Sequence, residues 1–270
     1  MKYLGKDFKE AIKWLADENN IIISSLRVQG VQEVQGKPFD ASRYERFFAR
    51  PFLNKEAKAF LFDERRLDER VVRWCRLTSW KDMQGVPWLQ TPYYDREGKL
   101  IGVQNRNLAP SILPPPGEAF IPAQTKLITS PRKKSSSPEG GRWEGASAPR
   151  FRFPRGSKCS IYGLPVLNRL KPGETLYIAE GCSDCWSLLS AGHKAIAIPS
   201  ATLLSRKDAE QLSTLNSQFS IQFEMYPDRD VPGERLFLQL REVLPNLVRH
   251  QLPPDCKDFS EYYLKLTIEN

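Results

Sequence analysis

With 270 residues, 40% hydrophobic and 11% aromatic, the chain is long enough for a real core and too apolar to be disordered. No apolar run approaches the roughly 20 residues of a membrane span, and the charged start MKYLGKDFKEAIKWLADENN is no signal peptide, so no membrane partner is expected and the expected location is cytoplasmic. The net charge of +8 suits a polyanionic partner, and it is unevenly placed: residues 122–158 carry nine Lys or Arg against Glu139 and Glu144, leaving the rest nearly balanced.

The first predicted element is a helix. Asp7 caps it, Glu10 completes a capping box, and Phe8, Ala11, Ile12 and Leu15 form one apolar stripe that needs a partner surface. Further helices are expected near 55–62 and from about Asp68. Residues 86–108 read as a β-hairpin turning at Asp95-Arg96-Glu97-Gly98. From about 109 to 148 Pro, Ser, Gly and Lys dominate, which indicates an extended or flexible insertion. From Glu174 onwards strands alternate with helices of about ten residues, with Gly192 a C-cap, and this argues a parallel α/β sheet.

Two of these strands end in acids. TLYIAEG closes on Glu180-Gly181, with Asp184 one helical turn on; FSIQFEMYPDRD closes on Asp228 and Asp230. In open parallel sheets functional groups gather at the carboxyl ends of strands. Alternation along an extended chain turns Asp228 and Asp230 to one side. Clustered carboxylates stay ionised only with cations among them, and all-oxygen ligands suit magnesium or manganese. Taken singly, each motif also reads as a helix cap or a polar turn. Together, in this order, they point to phosphoryl or nucleotidyl transfer.

Other features are weaker. Cys182 and Cys185 form a C-x-x-C, but two ligands do not make a zinc site, and His193 and His250 are not spaced to complete one. Both histidines are expected to be structural, and Trp74, Trp80 and Trp88 to lie in the core. Arg150, Arg152 and Arg155 alternate with Phe151 and Phe153. That mix fits either a single-strand contact or a half-buried strand with its rings inward.

Glu180-Gly181 with Asp184, followed by D-x-D-x-x-G at 228–233, resembles the Toprim fold of bacterial-type primases and of type IA and II topoisomerases. The nearer likeness is to the replicative primase of bacteria, the DnaG-like family. FLFDERRLDERVVRWCRL, TPYYDREGKLIGVQNRNL, PRFRFPRGSKCSIYGL and PPDCKDFSEYY are similar, in order, to its segments. The resemblance implies an α/β protein: an α+β N-terminal subdomain followed by a Toprim parallel-sheet domain. Residues 1–54 would be a helix and connector trailing a missing zinc-ribbon region, 55–170 the primase-like subdomain with its Pro-rich insertion, and 171–270 the Toprim domain. The resemblance makes Glu180, Asp228 and Asp230 catalytic, with Asp184 and Asp258 joining them as metal ligands. Arg106, Arg150, Arg152, Arg155 and Lys257 would contact nucleic acid or nucleotide.

The implied activity is synthesis of short RNA primers on single-stranded DNA from ribonucleoside triphosphates. It would use Mg2+ or Mn2+, with no zinc in this chain, as in primase-like proteins of mobile genetic elements. A helicase or a separate zinc-ribbon protein would be a partner. The alternatives are a non-catalytic single-stranded-DNA-binding Toprim module or replication accessory protein, and a Toprim nuclease. The departures cluster away from the acids. Ser260 stands where the family's last acid stands, Trp88 replaces an Arg, Gln104-Asn105 replace two glycines, and Phe153-Pro154 replace Asn-Ser.

Overall fold

Two four-stranded sheets organise the chain, one antiparallel and one parallel. The computed structural model describes residues 38–109, 149–198, 206–219 and 221–269. The expected N-terminal helix and most of the Pro-rich insertion lie outside them.

A short helix α1 (Ser42–Ala49) leads to α2 (Lys55–Lys58), which Asn54 caps by accepting the Ala57 amide at 2.8 Å. Helix α2 runs on into a wide π-helical turn, Ala59–Glu64, where the Arg65 amide reaches back five residues to the Phe60 carbonyl at 3.1 Å. Asp68 caps α3 (Glu69–Trp74) through the Arg70 amide. The first sheet comes next: β1 (Thr78–Lys81), β2 (Pro87–Tyr94), β3 (Leu100–Asn107) and β4 (Phe151–Arg152), paired in that order and all antiparallel. The expected hairpin is β2–β3, with its turn at Asp95–Gly98 closed by the Gly98 amide on the Asp95 carbonyl.

Alternation gives this sheet two unlike faces. Leu89, Thr91 and Tyr93 on β2 share one face with Arg106 on β3 and Phe151 on β4; Trp80, Trp88, Gln90, Asn105 and Arg152 share the other. Tyr93 donates or accepts a hydrogen bond with the Cys182 thiol at 3.2 Å, so the first face looks into the second half of the molecule.

A 3-10 turn at Leu164–Arg169 leads into β5 (Thr175–Glu180), α4 (Cys182–Ser190), β6 (Ala195–Ile198), α5 (Arg206–Phe219), β7 (Gln222–Met225), α6 (Val231–Val243), β8 (Val248–Arg249) and α7 (Phe259–Glu269). All pairs in this sheet are parallel, in the order β6-β5-β7-β8. Leu176, Ile178, Phe223 and Met225 turn to one face and bury against Leu212, Leu215, Leu236, Phe237 and Leu240 of α5 and α6. Tyr177 and Ala179 turn to the other, where Trp186 and Leu188 of α4 and Phe259 and Tyr263 of α7 cover them. Leu89 and Tyr93 of the first sheet belong to that same core, so Pro38–Asn270 holds together as one compact unit.

Three sequence expectations change. Trp80 is 41% exposed rather than buried, because it sits on the outer face at the edge strand; Trp74 is partly buried and Trp88 fully so. At β4 the half-buried alternative with its rings inward does not hold: Phe151 is 36% exposed and Arg152 also lies open, since an edge strand of two residues has little to cover it. The strand carrying the second acid pair ends at Met225, three residues short of Asp228. Both histidines do pack structurally. His250 pairs with the buried Glu224 at 2.7 Å and stacks on Tyr226, while His193 tilts against Tyr177. Cys182 and Cys185 are buried free thiols whose pKa burial raises, Cys182 to about 12, which makes them inert. Among the described residues no helix is long and apolar enough to cross a membrane.

Candidate active site

The strand order places a switch point between β5 and β7. The chain leaves β5 towards β6 on one side, then crosses back to β7 on the other. Where neighbouring connections part in opposite directions, a crevice opens beyond the carboxyl ends of the two strands. Glu180 is the last residue of β5 and Asp228 comes after β7, so the acids gather at that crevice.

Each carboxylate is held differently. Glu180 is half-buried, and Gly181 behind it, at φ +91°, makes the turn into α4. Asp184 in the first turn of α4 is only 7% exposed; its Oδ1 accepts from both the Ser260 amide, at 2.8 Å, and the Ser260 hydroxyl, at 2.6 Å. Asp258, just before α7, accepts the Glu261 amide through Oδ1 at 2.9 Å. Asp230 is the N-cap of α6, with Oδ1 accepting the Gly233 amide at 2.9 Å and Oδ2 facing Lys257 Nζ at 3.4 Å.

Strand alternation therefore does not orient Asp228 and Asp230, as the sequence had suggested. A turn and a helix cap do. Gly233 makes that turn possible: a Cβ there would lie 2.5 Å from the Asp228 carbonyl oxygen and 2.8 Å from the Asp228 Cβ.

The charges of these groups act on one another. Burial, then Asp184, Glu180, Asp258 and Asp230 push the Asp228 carboxyl up to about 8. Burial and Asp258 push Asp184 up to about 6, against the two Ser260 hydrogen bonds and Arg65, which pull it down. Replacing Ser260 by Ala removes the hydroxyl donor. The expected result is an Asp184 titration above 6 and a loss of about 1–3 kcal/mol of stability, read by carboxyl NMR and thermal unfolding.

Arg65 acts on both Arg106 and Asp184. The Arg106 guanidinium lies over the Phe60 ring at 4.6 Å and near the Phe151 ring at 5.7 Å. Burial, then Arg150 and Arg65 push it down to about 10. Among the described residues no carboxylate lies within ion-pair distance of it. Glu64 works the other way and holds it up.

The predicted basic set is thereby divided. Arg106 lies on the same face as Leu89 and Tyr93, and Arg150 acts on it. Arg152 is on the outer face, 4.4 Å over the Trp88 ring, and Arg155 is exposed. Lys257 is tied to Asp230. Sequence reasoning missed Arg65 and Phe60, because nothing in FLFDERR marks a π turn that brings both near Arg106, more than 40 positions on.

Among the described residues no three His, Cys, Asp or Glu side chains form a closed ligand cage. The donor set nevertheless fits a hard divalent cation: it is all carboxylate, it is short of positive charge, and such ions take one or two carboxylates plus water and substrate phosphate. A cleft of about 690 Å3 opens beside it, lined by Asp228, Arg229, Asp230, Glu234, Arg249 and His250 among others.

No family model matches the chain. A DNA primase from Clostridium acetobutylicum is 24% identical over 308 residues, covering 98% of this chain and 45% of that protein. The chain thus spans less than half of that relative. The zinc-binding and RNA polymerase domains of the Aquifex aeolicus primase superpose with a TM-score of 0.54 at 17% identity, over 85% of this chain and 56% of that one.

The fold is that of a DnaG-type primase catalytic core. A DnaG primase catalytic domain bound to single-stranded DNA matches with a TM-score of 0.50 at 15% identity, over 84% of this chain and 76% of that one. Within the primase fold, the antiparallel sheet carries Arg106 and the acids lie beyond the carboxyl ends of the parallel sheet.

Proposed function

We propose that the chain is the polymerising part of a primase, which joins ribonucleoside triphosphates into short RNA primers on single-stranded DNA during replication. The observation that carries this reading is the gathering of carboxylates beyond β5 and β7, where burial, then Asp184, Glu180, Asp258 and Asp230 push the Asp228 carboxyl up to about 8, together with a buried Arg106 that has no carboxylate within ion-pair distance among the described residues. Both halves of that arrangement suit a triphosphate that arrives with divalent cations. The likeness to a curated primase and to a primase domain bound to single-stranded DNA supports the same reading.

On this reading Glu180, Asp228 and Asp230 are the catalytic acids, with Asp184 and Asp258 beside them holding magnesium or manganese. When bound, those ions offset phosphate charge and make the primer 3′-hydroxyl a better nucleophile. Asp184, locked by Ser260, fixes the rear of the acid cluster. Asp230 exchanges its Lys257 contact for the incoming charge. Arg106 and Arg65 hold phosphate at the mouth, and Arg150, Arg155 and Phe151 guide the template strand. The domain division at about residue 170, a cytoplasmic setting, a mobile-element origin and a helicase or zinc-ribbon partner belong to the same proposal.

The test is incorporation of labelled ribonucleotides on single-stranded DNA with magnesium or manganese. Oligoribonucleotides are the expected product. Arg106→Lys, which keeps the charge but loses the planar fork over Phe60, should lower kcat/KM at least about tenfold. Absence of product on any template with either metal, with or without neighbouring gene products, sinks the reading. Shortening of a labelled DNA strand in the same reaction would mean a nuclease instead.

A further inference from the structure

The outer face of the antiparallel sheet carries groups that the crevice does not use. Trp80 on β1 pairs across to Trp88 on β2, and Arg152 on β4 reaches over the Trp88 ring. Trp88 is fully buried, and its Nε1 donates to Asp82 Oδ2 at 3.0 Å. Asp82 also accepts the Gln84 and Val86 amides through Oδ1. Its nearest oxygen is 3.9 Å from Arg152, so the guanidinium stays half-exposed and only loosely countered.

Asn105 ties the set together. Its Oδ1 accepts from Trp80 Nε1 at 3.3 Å and from Gln90 Nε2 at 3.0 Å, while its Nδ2 donates to the Arg152 carbonyl at 3.4 Å. One buried amide therefore fixes both an exposed indole and the strand that bears an exposed guanidinium. The exposed aromatics of the described residues, Phe47, Phe52, Trp80, Phe151 and Phe153, all lie in this half of the molecule; the exposed large apolar residues of the parallel-sheet half are aliphatic.

We propose that this outer face is a second seat for single-stranded nucleic acid, in which a base stacks on Trp80 and a backbone phosphate meets Arg152. Chemistry selects the occupant. A rigid ring beside a cation is what a single strand needs, since every base has a π face and every step a phosphate. The adjoining segment 149–158 holds Arg150, Arg152, Arg155 and Lys158 without an acid, which favours a polyanion over a protein surface. β4 is an edge strand whose two residues turn to opposite faces, Phe151 towards Arg106 and Arg152 towards Trp88. A strand that passes over this edge touches both. The inference rests on the template-binding reading above and adds a surface away from the acids.

The test uses the full chain, with oligo-dT of about four and about sixteen residues as probes. Stacking on Trp80 should quench indole fluorescence when the longer oligomer binds, and Trp80→Phe should lose that quenching. Trp80→Ala and Arg152→Gln should each weaken the longer oligomer roughly tenfold and leave the shorter one unchanged. Thermal unfolding checks the Ala variant, and the Phe variant decides if Ala does not fold. Unchanged affinity and unchanged quenching in both Trp80 variants, with primer synthesis intact, overturn the outer seat and spare the crevice. Loss of synthesis in Asp228→Asn with the Trp80 quenching retained separates the two in the other direction. Quenching that an unrelated acidic peptide reproduces equally well also overturns the assignment to nucleic acid.

Discussion

Asp228→Asn should make the protein more stable and inactive at once. The fold pushes this carboxyl from its ordinary 3.8 up to about 8, through burial and through Asp184, Glu180, Asp258 and Asp230. A carboxyl raised in this way favours the folded state fully below its ordinary value, and that contribution is lost as pH rises through the folded value. Asparagine resembles the protonated form at every pH. The variant should therefore melt higher than the parent at pH 8 in chelator, with the gap closing towards pH 4. Magnesium or manganese should raise the parent's melting temperature at pH 8 and leave the variant nearly unmoved. Primer synthesis should fall at least about a thousandfold, because several kcal/mol of transition-state stabilisation go with the cations. A variant that is both less stable at pH 8 and still active would show that these charges do not meet.

Gly233→Ala should cost about 1–3 kcal/mol of stability and most of the activity, although alanine is the better helix former by about 1 kcal/mol. The added carbon has no room, and its neighbours are the backbone and Cβ of Asp228, which cannot swing aside as a flexible side chain would. Relief has to come from moving Asp228 or unwinding the first turn of α6. A displacement near 1 Å at a reacting centre can cost about a hundredfold in rate. Thermal unfolding and primer synthesis measure the two losses. If both are unchanged, the close approach of α6 to Asp228 is mistaken.

The positions of Glu180, Asp228 and Asp230 were legible because each sits between a strand pattern and the helix pattern that follows, and that transition is written in local residue types; Asp258 followed only from the family likeness. The hairpin was legible for the same reason, since Asp95 to Gly98 breaks two extended runs. What holds the acids was less legible. The sequence suggests extended alternation for Asp228 and Asp230, yet Asp230 spends its carboxylate on the Gly233 amide and on Lys257. Ser260 reads as the loss of an acid; in the fold it donates twice to Asp184, a contact across 76 positions that no local pattern records. The placement of the basic residues was not legible either. Arg150, Arg152 and Arg155 form one cluster in sequence, but a two-residue edge strand deals Phe151 and Arg152 to opposite faces of a sheet. Residue type alone puts Trp80 in the core, whereas β1 is an edge strand.

The π-helical turn at Ala59–Glu64 has a consequence for how the surroundings of Arg106 tolerate change. Its amide-to-carbonyl link spans five residues instead of four, so the backbone accommodates one residue more than an ordinary turn would. A chain shortened by a single codon here would close as plain α-helix without unfolding. The helix on the N-terminal side of the deletion would then rotate by about 100° against the rest of the protein. Phe60, on the rotated side, would leave the underside of Arg106. One inserted or deleted amino acid, far in sequence from every carboxylate of the cluster, is thus enough to alter the setting of Arg106 while the acids stay where they are.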